Sequence, residues 1–207
     1  MPVYAVDDQF VEVLIEGVGE IVAGVGGSGL LQVRVTLETM ADLNILHNVA
    51  RQYRASLAML GQAMNLCPEP LWTDEAYPNR FWHIAYHALF YTHFYLQPSE
   101  ADFRPWVKHR QDCQYPGPRP WAPNEAPKIQ TPYAKADVME YHEICSAEVE
   151  RRVPAIDLEA PSGFPWLPFN KMELQFYNIR HLQHHTGQLA DRLRTKTNVG
   201  LAWVRPE

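Results

Sequence analysis

Between residues 40 and 64 the apolar positions Leu43, Leu46, Val49, Tyr53, Leu57, Leu60 and Met64 recur at intervals of three and four. That interval is the repeat of one face of an α-helix, and the following "NLCPEP" ends it. The next segment, "RFWHIAYHALFYTHFYL" (80–96), is apolar on nearly every side. A helix of that kind belongs in the middle of a helical assembly rather than on its rim. Residues 97 to about 131 then carry Pro98, Pro105, Pro116, Pro118, Pro120, Pro123 and Pro127. No helix survives that density of proline, so this is a long connection, either a lid over a site or a tether along the bundle. Trp106, Tyr115 and Trp121 argue that it is packed.

The pattern predicts a third helix starting at "TPYAKADVMEYHEICSAEVERRV", with Thr131 as N-cap and Pro132 at the first helical position. A second proline-rich connection, "APSGFPWLPF", leads into a fourth helix from about 169 to 195. Four helices with two long connections make the expected fold all-α, a four-helix bundle over residues 37–207. Residues 1–36 differ in character. They are rich in Val and Gly, with "GGSG" between two strand-like pieces, and read as an N-terminal extension, hairpin-like or flexible. The alternative reading starts translation at Met40 and leaves residues 1–39 outside the native protein. No internal repeat is visible.

At 207 residues and 46% hydrophobic, the chain can bury a sizeable core. Its net charge of −6, without a basic cluster, argues against a nucleic-acid partner, which needs positive charge against phosphate. Cys67, Cys113 and Cys145 lie far apart, as expected of buried thiols in a reducing cytoplasm. The first positive residue is Arg34, so no charged leader precedes an apolar run, and no run is long enough to cross a membrane. A cytoplasmic protein acting on a small molecule, with no nucleic acid and no membrane as partner, is the expectation.

The chemistry is concentrated in "RHLQHHTGQL", residues 180–189, which holds three of the nine histidines. His181 and His185, four apart, share a helix face with Asn178, Gln188 and Leu174, whereas His184 turns toward the polar side. A histidine pair at this spacing is a two-point grip for a transition metal. The second helix carries another such pair, His83 and His87, among aromatic neighbours. Each buried imidazole there needs a partner, and a metal, a backbone carbonyl or a tyrosine would serve. No Glu has a His three residues later, which argues against a carboxylate-bridged di-iron site. His-Glu-x-x-His and Gly-x-Ser-x-Gly motifs are absent as well.

The aromatic, histidine-bearing second helix followed by "NIRHLQHHTGQL" in the last helix resembles the DinB-like (YfiT-type) four-helix bundle proteins. The likeness runs from about residue 40 to "GLAWVR" near 205, and its most specific part is the H-x2-H-H-x-G-Q run. It implies a divalent metal held by three histidines, here His87, His181 and His185. His83, one turn before His87, could replace it or join as a fourth ligand, which would close the site. The resemblance implies a metal-dependent enzyme that activates a low-molecular-weight thiol cosubstrate, an S-transferase-like reaction. Zinc, nickel, iron and manganese all suit three imidazoles. A metal-dependent hydrolase and a non-catalytic, metal-stabilised stress or binding protein are the other readings. Arg104, Lys108, His109, Arg110 and Arg119 in the long connection are the cations that could receive an anionic thiol. A homodimer is plausible for such bundles. His47, His93 and His142 are assigned no role.

Overall fold

The computed structural model describes residues 4–6, 9–16, 20–25, 33–119, 121–127, 129 and 131–205, with side chains from residue 41 onward. Helix dominates these residues, in keeping with the all-α expectation. The chain divides into two compact units, Met1–His47 and Asn48–Glu207.

The first unit contains four strands, β1 (Tyr4–Val6), β2 (Gln9–Glu16), β3 (Glu20–Val25) and β4 (Val33–Thr36). They pair antiparallel in chain order, with Val13 opposite Ala23 and Ile21 opposite Val35. Branched side chains are frequent in these segments, and they favour extended backbone. The segment read as hairpin-like thus holds a four-stranded meander. The "GGSG" stretch lies outside the described residues.

Helix α1 (Leu37–Leu66) follows β4 and continues into the second unit, where α2 (Glu69–Trp72), α3 (Phe81–Tyr95), α4 (Lys135–Arg152) and α5 (Lys171–Thr197) complete the helices. Every residue of α3 is buried except Tyr91, as its all-round apolar sequence requires. Helices α4 and α5 both pack on α3. Helix α1 is tied to the same group by polar contacts. Tyr53 donates to Gln175 Oε1 on α5 at 3.0 Å, and His142 Nε2 on α4 donates to the carbonyl of Leu57 at 2.8 Å. Gly61 makes room for that imidazole, since a Cβ there would sit 3.3 Å from His142 Nε2.

Helix α4 starts at Lys135, after an Ala134 cap without a side-chain bond, and not at Thr131. Tyr133 accounts for the delay. Its carbonyl accepts from Trp72 Nε1 at 2.9 Å and its hydroxyl donates to the Lys108 carbonyl at 2.7 Å. Its ring stacks on Tyr86 at 4.7 Å. These anchors hold the chain extended where proline already disfavours helix in the residue before it. Helix α5 opens with Asn170, whose side chain accepts from the Glu173 amide, and closes with Asn198 in the left-handed conformation at φ 58°.

The long connection is packed, chiefly by Trp106, which stacks on Tyr141 at 4.9 Å and 7°. Trp121 departs from the expectation: it is 69% exposed and meets only the edge of Tyr115 among the described aromatic rings. All three cysteines are free and buried. No helix among the described residues is long and apolar enough to cross a membrane.

Gly163 is fixed by two independent demands. Its φ is +85°, and a Cβ would lie 2.1 Å from the carbonyl oxygen of Pro98. Gly163→Ala is expected to destabilise the protein by at least about 2 kcal/mol. Urea denaturation measures this, and a change below about 0.5 kcal/mol would show that the connection relaxes freely around the added methyl.

Candidate metal centre

The histidine spacing on α3 and α5 acts through the packing of the two helices. His87 comes from the middle of α3, and His181 and His185 from one face of α5. Their Nε2 atoms converge: His87 to His181 is 3.0 Å, and His185 to His181 is 3.1 Å. One ligand nitrogen from each of the three lies within 4.8 Å of the others. His87 is buried, whereas His181 and His185 are half-buried, so the group opens toward the α5 side.

The protonation of two rings follows from their outer nitrogens. His87 Nδ1 lies 2.6 Å from the Gln114 carbonyl, which only accepts, so Nδ1 carries the proton and Nε2 presents a lone pair. His185 Nδ1 donates to Gln188 Oε1 at 2.9 Å, with the same consequence. The Gln188 amide is oriented by its nitrogen, which donates to the exposed His184 at Nε2, 3.1 Å away. His181 Nδ1 is buried and has no partner.

Two lone pairs therefore face His181 Nε2, which holds at most one proton to share between them. A cation would satisfy all three nitrogens at once. Two imidazole nitrogens bound to one ion at about 2.1 Å in tetrahedral geometry stand about 3.4 Å apart, a few tenths of an ångström from the separations here. By donor chemistry and spacing, this group could hold a divalent metal. Three imidazoles do not choose among zinc, nickel, iron and manganese.

Burial is the first cause that keeps these rings neutral. It lowers the pKa of His87 well below the ordinary imidazole value, with His185 and His181 adding repulsion. His181 is lowered to about 3 by burial and by His185 and His184. His185 is lowered by burial, partly offset by its bond to Gln188. Neutral rings at neutral pH are what metal ligation needs.

His83 stands apart. Among the described residues the three-nitrogen group does not include it. It is 4% exposed, its ring stacks on Trp82 at 4.9 Å, and its Nε2 has no hydrogen-bond partner. Asn178, on the shared face of α5, serves packing: Nδ2 donates to the Thr92 carbonyl at 3.2 Å, tying α5 to α3. Gln188 does touch a site histidine. His93 donates to or accepts from the Tyr141 hydroxyl at 3.1 Å, and His142 bonds α1, so neither enters the group.

Most cations of the long connection are already engaged. Arg104 donates to the Ala101 and Phe103 carbonyls, Lys108 pairs with Asp137 and Glu140, and Arg119 pairs with Glu125 and Asp112. His109 Nδ1 meets the Tyr86 hydroxyl at 2.6 Å. Arg110 differs: its guanidinium lies 3.6 Å from the Tyr133 ring centre and its Nε is buried without a partner.

Two neighbours escaped the sequence. Tyr91 presents its ring to His87 at 4.9 Å and to His181 at 5.4 Å. Its position four residues after His87 on α3 is a signal that could have found it. The Gln114 contact runs through a backbone carbonyl, which carries no mark in the sequence. Compared with known proteins, the chain matches no family model, no curated protein and no solved structure.

The depressed imidazoles make the metal-free protein sensitive to acid. In the unfolded chain histidine takes up its proton near pH 6.5. Folded His181 resists protonation down to about pH 3. The unfolded state then binds more protons in this window, so stability is full above about pH 6.5 and falls as the pH drops. Burial lowers His83, His93 and His109 too, and they add in the same direction. The melting temperature of metal-free protein should therefore decline from pH 7.5 to 5, and less steeply in His181→Phe. Equal slopes for the two proteins would mean that His181 titrates as a solvated group.

Proposed function

We propose that the chain is a DinB-like four-helix bundle protein, formed by α1, α3, α4 and α5, and a metal-dependent enzyme working at His87, His181 and His185. The observation that carries this reading is the convergence of three Nε2 atoms, two of them held as lone pairs by Gln114 and Gln188. His87, His181 and His185 would hold a divalent ion, which would supply Lewis acidity toward a thiol or water near neutral pH.

The protein's own residues do the rest. His87 is fixed from the connection side by the Gln114 carbonyl, and His185 from the solvent side by Gln188. Their rings therefore keep their lone pairs aimed inward whether or not a cosubstrate is present. Tyr91 walls one flank of the group with its ring. Arg110 has no ion pair among the described residues and keeps a buried Nε unbonded there, which suits it to meet an anionic group on a small thiol. On this reading the reaction is S-transferase-like: the thiol loses its proton to solvent, its sulfur attacks an electrophilic carbon and forms a carbon–sulfur bond, and that carbon's bond to chloride or epoxide oxygen breaks with the electron pair going to the chloride or oxygen.

Metal titration of the purified chain with zinc, nickel, manganese and ferrous ions tests the first part. Binding of near one equivalent is expected, weakened at least about 100-fold by His87→Ala, His181→Ala or His185→Ala. His83→Ala should leave it within about twofold, and Gln188→Leu should weaken it by about tenfold. Metal binding indifferent to the three alanine variants would overturn the site. Small-thiol consumption with a chlorinated or epoxide electrophile tests the second part. Turnover of esters or amides without any thiol would favour a hydrolase instead, and metal-dependent stability with neither activity would favour a non-catalytic protein.

A further inference from the structure

Lys171 is a buried ammonium without an anion. It opens α5, is 7% exposed, and its Nζ donates to the carbonyls of Gln97 and Pro98 at 2.9 and 2.7 Å. Those two bonds leave a third N–H with no acceptor among the described residues. The Phe164 ring lies 5.4 Å from Nζ. Among the described residues no carboxylate reaches ion-pair distance, and Asp102 acts only from farther away; burial outweighs it and lowers the pKa to about 8. A buried charge normally has a counter-charge, so this arrangement is incomplete as a purely structural one.

The same lysine lines a cavity of about 400 Å³. That volume lies in the range of small-molecule sites, and Leu96, Pro98, Ile156 and Pro161 give it an apolar wall. Arg151 and Arg152 also border it and share the single carboxylate of Glu148, at 2.7 and 2.5 Å, which balances one of their two charges. Asp157 stands at the border with its carboxylate held by the Glu159 amide at 3.1 Å. With Asp157 set against the second guanidinium, three cations face two carboxylates, and the cavity keeps one net positive charge beside its apolar body.

We infer that this cavity binds a small organic monocarboxylate with a compact apolar body, its carboxylate on Lys171 and its body against Leu96, Ile156 and Pro161. The site uses none of the three histidines and stands or falls separately from the metal reading.

The test is calorimetric titration of the full metal-free chain with sodium benzoate and sodium hexanoate, beside benzamide and the dianion phthalate. Saturable binding of at least one monocarboxylate is expected, with Kd on the order of 1 mM or tighter. Benzamide and phthalate should each bind at least about tenfold more weakly, lacking the charge or carrying one too many. Lys171→Met should abolish binding. That variant also removes the ammonium from the Gln97 and Pro98 carbonyls, so a second one keeps the lysine: Ala160→Leu adds bulk at the cavity wall and should abolish binding with Lys171 intact. The proposal is overturned if neither carboxylate binds saturably, if benzamide matches benzoate, or if binding survives Ala160→Leu.

Discussion

Burying α3 on nearly every side makes each of its polar groups costly unless it finds a partner inside the protein, and much of the remaining architecture answers that demand. Thr92 turns its hydroxyl back to the Ala88 carbonyl at 2.8 Å. His93 uses the Tyr141 hydroxyl, and the Thr92 carbonyl receives Asn178 from α5. His87 is met on one nitrogen by Gln114 and on the other by His181. A long proline-rich connection is needed to bring the Gln114 carbonyl there, because regular helix keeps its own carbonyls occupied. His83 Nε2 and Trp82 Nε1 are left without partners. The three-histidine group and the connection are thus two consequences of one buried helix.

The sequence disclosed those parts of the site that depend on helical repeat. Three- and four-residue spacing located α1 and put His181 and His185 on one face, an all-round apolar run marked α3, and the proline-rich connections set off α4 and α5. His83 and His87 share one face of α3, so the choice between them depended on the axial register of α3 against α5, which periodicity alone does not encode. The expected Thr131 cap failed because Tyr133, an anchor for Trp72, Lys108 and Tyr86, governs that stretch through tertiary contacts that override local preference. The loop cations read as anion receptors from composition. Carboxylates remote in sequence claim Lys108, as Asp137 and Glu140 do, and these pairings follow only from the packed chain. Gln114 acts through its backbone, so no residue type could have signalled it.

Electrostatics gives the two ends of the stretch of α5 from Lys171 to His185 opposite characters. At one end three imidazoles are driven to neutrality by burial and by one another, which favours a cation between them. At the other a lysine stays inside, supported by carbonyls of the residues that follow α3. Those carbonyls stand where a helix terminus is partly negative, which offsets part of the cost of burying the ammonium without supplying a counter-charge. Lys171 and His181 belong to the same helix, about 15 Å apart along its axis at 1.5 Å per residue.

That separation has a structural consequence. One continuous helical rod of 27 residues carries Lys171, His181 and His185, so its backbone fixes their spacing. Gln175 and Asn178 lie between the two ends and are fully buried, bonded respectively to Tyr53 of α1 and the backbone of α3. They hold the rod in register against its neighbours. Register matters most for His87 and His181, which come from different helices and meet at 3.0 Å. A slip of one helix past the other by even 1 Å would separate those nitrogens, whereas His181 and His185 would keep their spacing because one helix carries both. The α3–α5 contact, not the histidine pair on α5, is therefore the element on which a three-point grip depends.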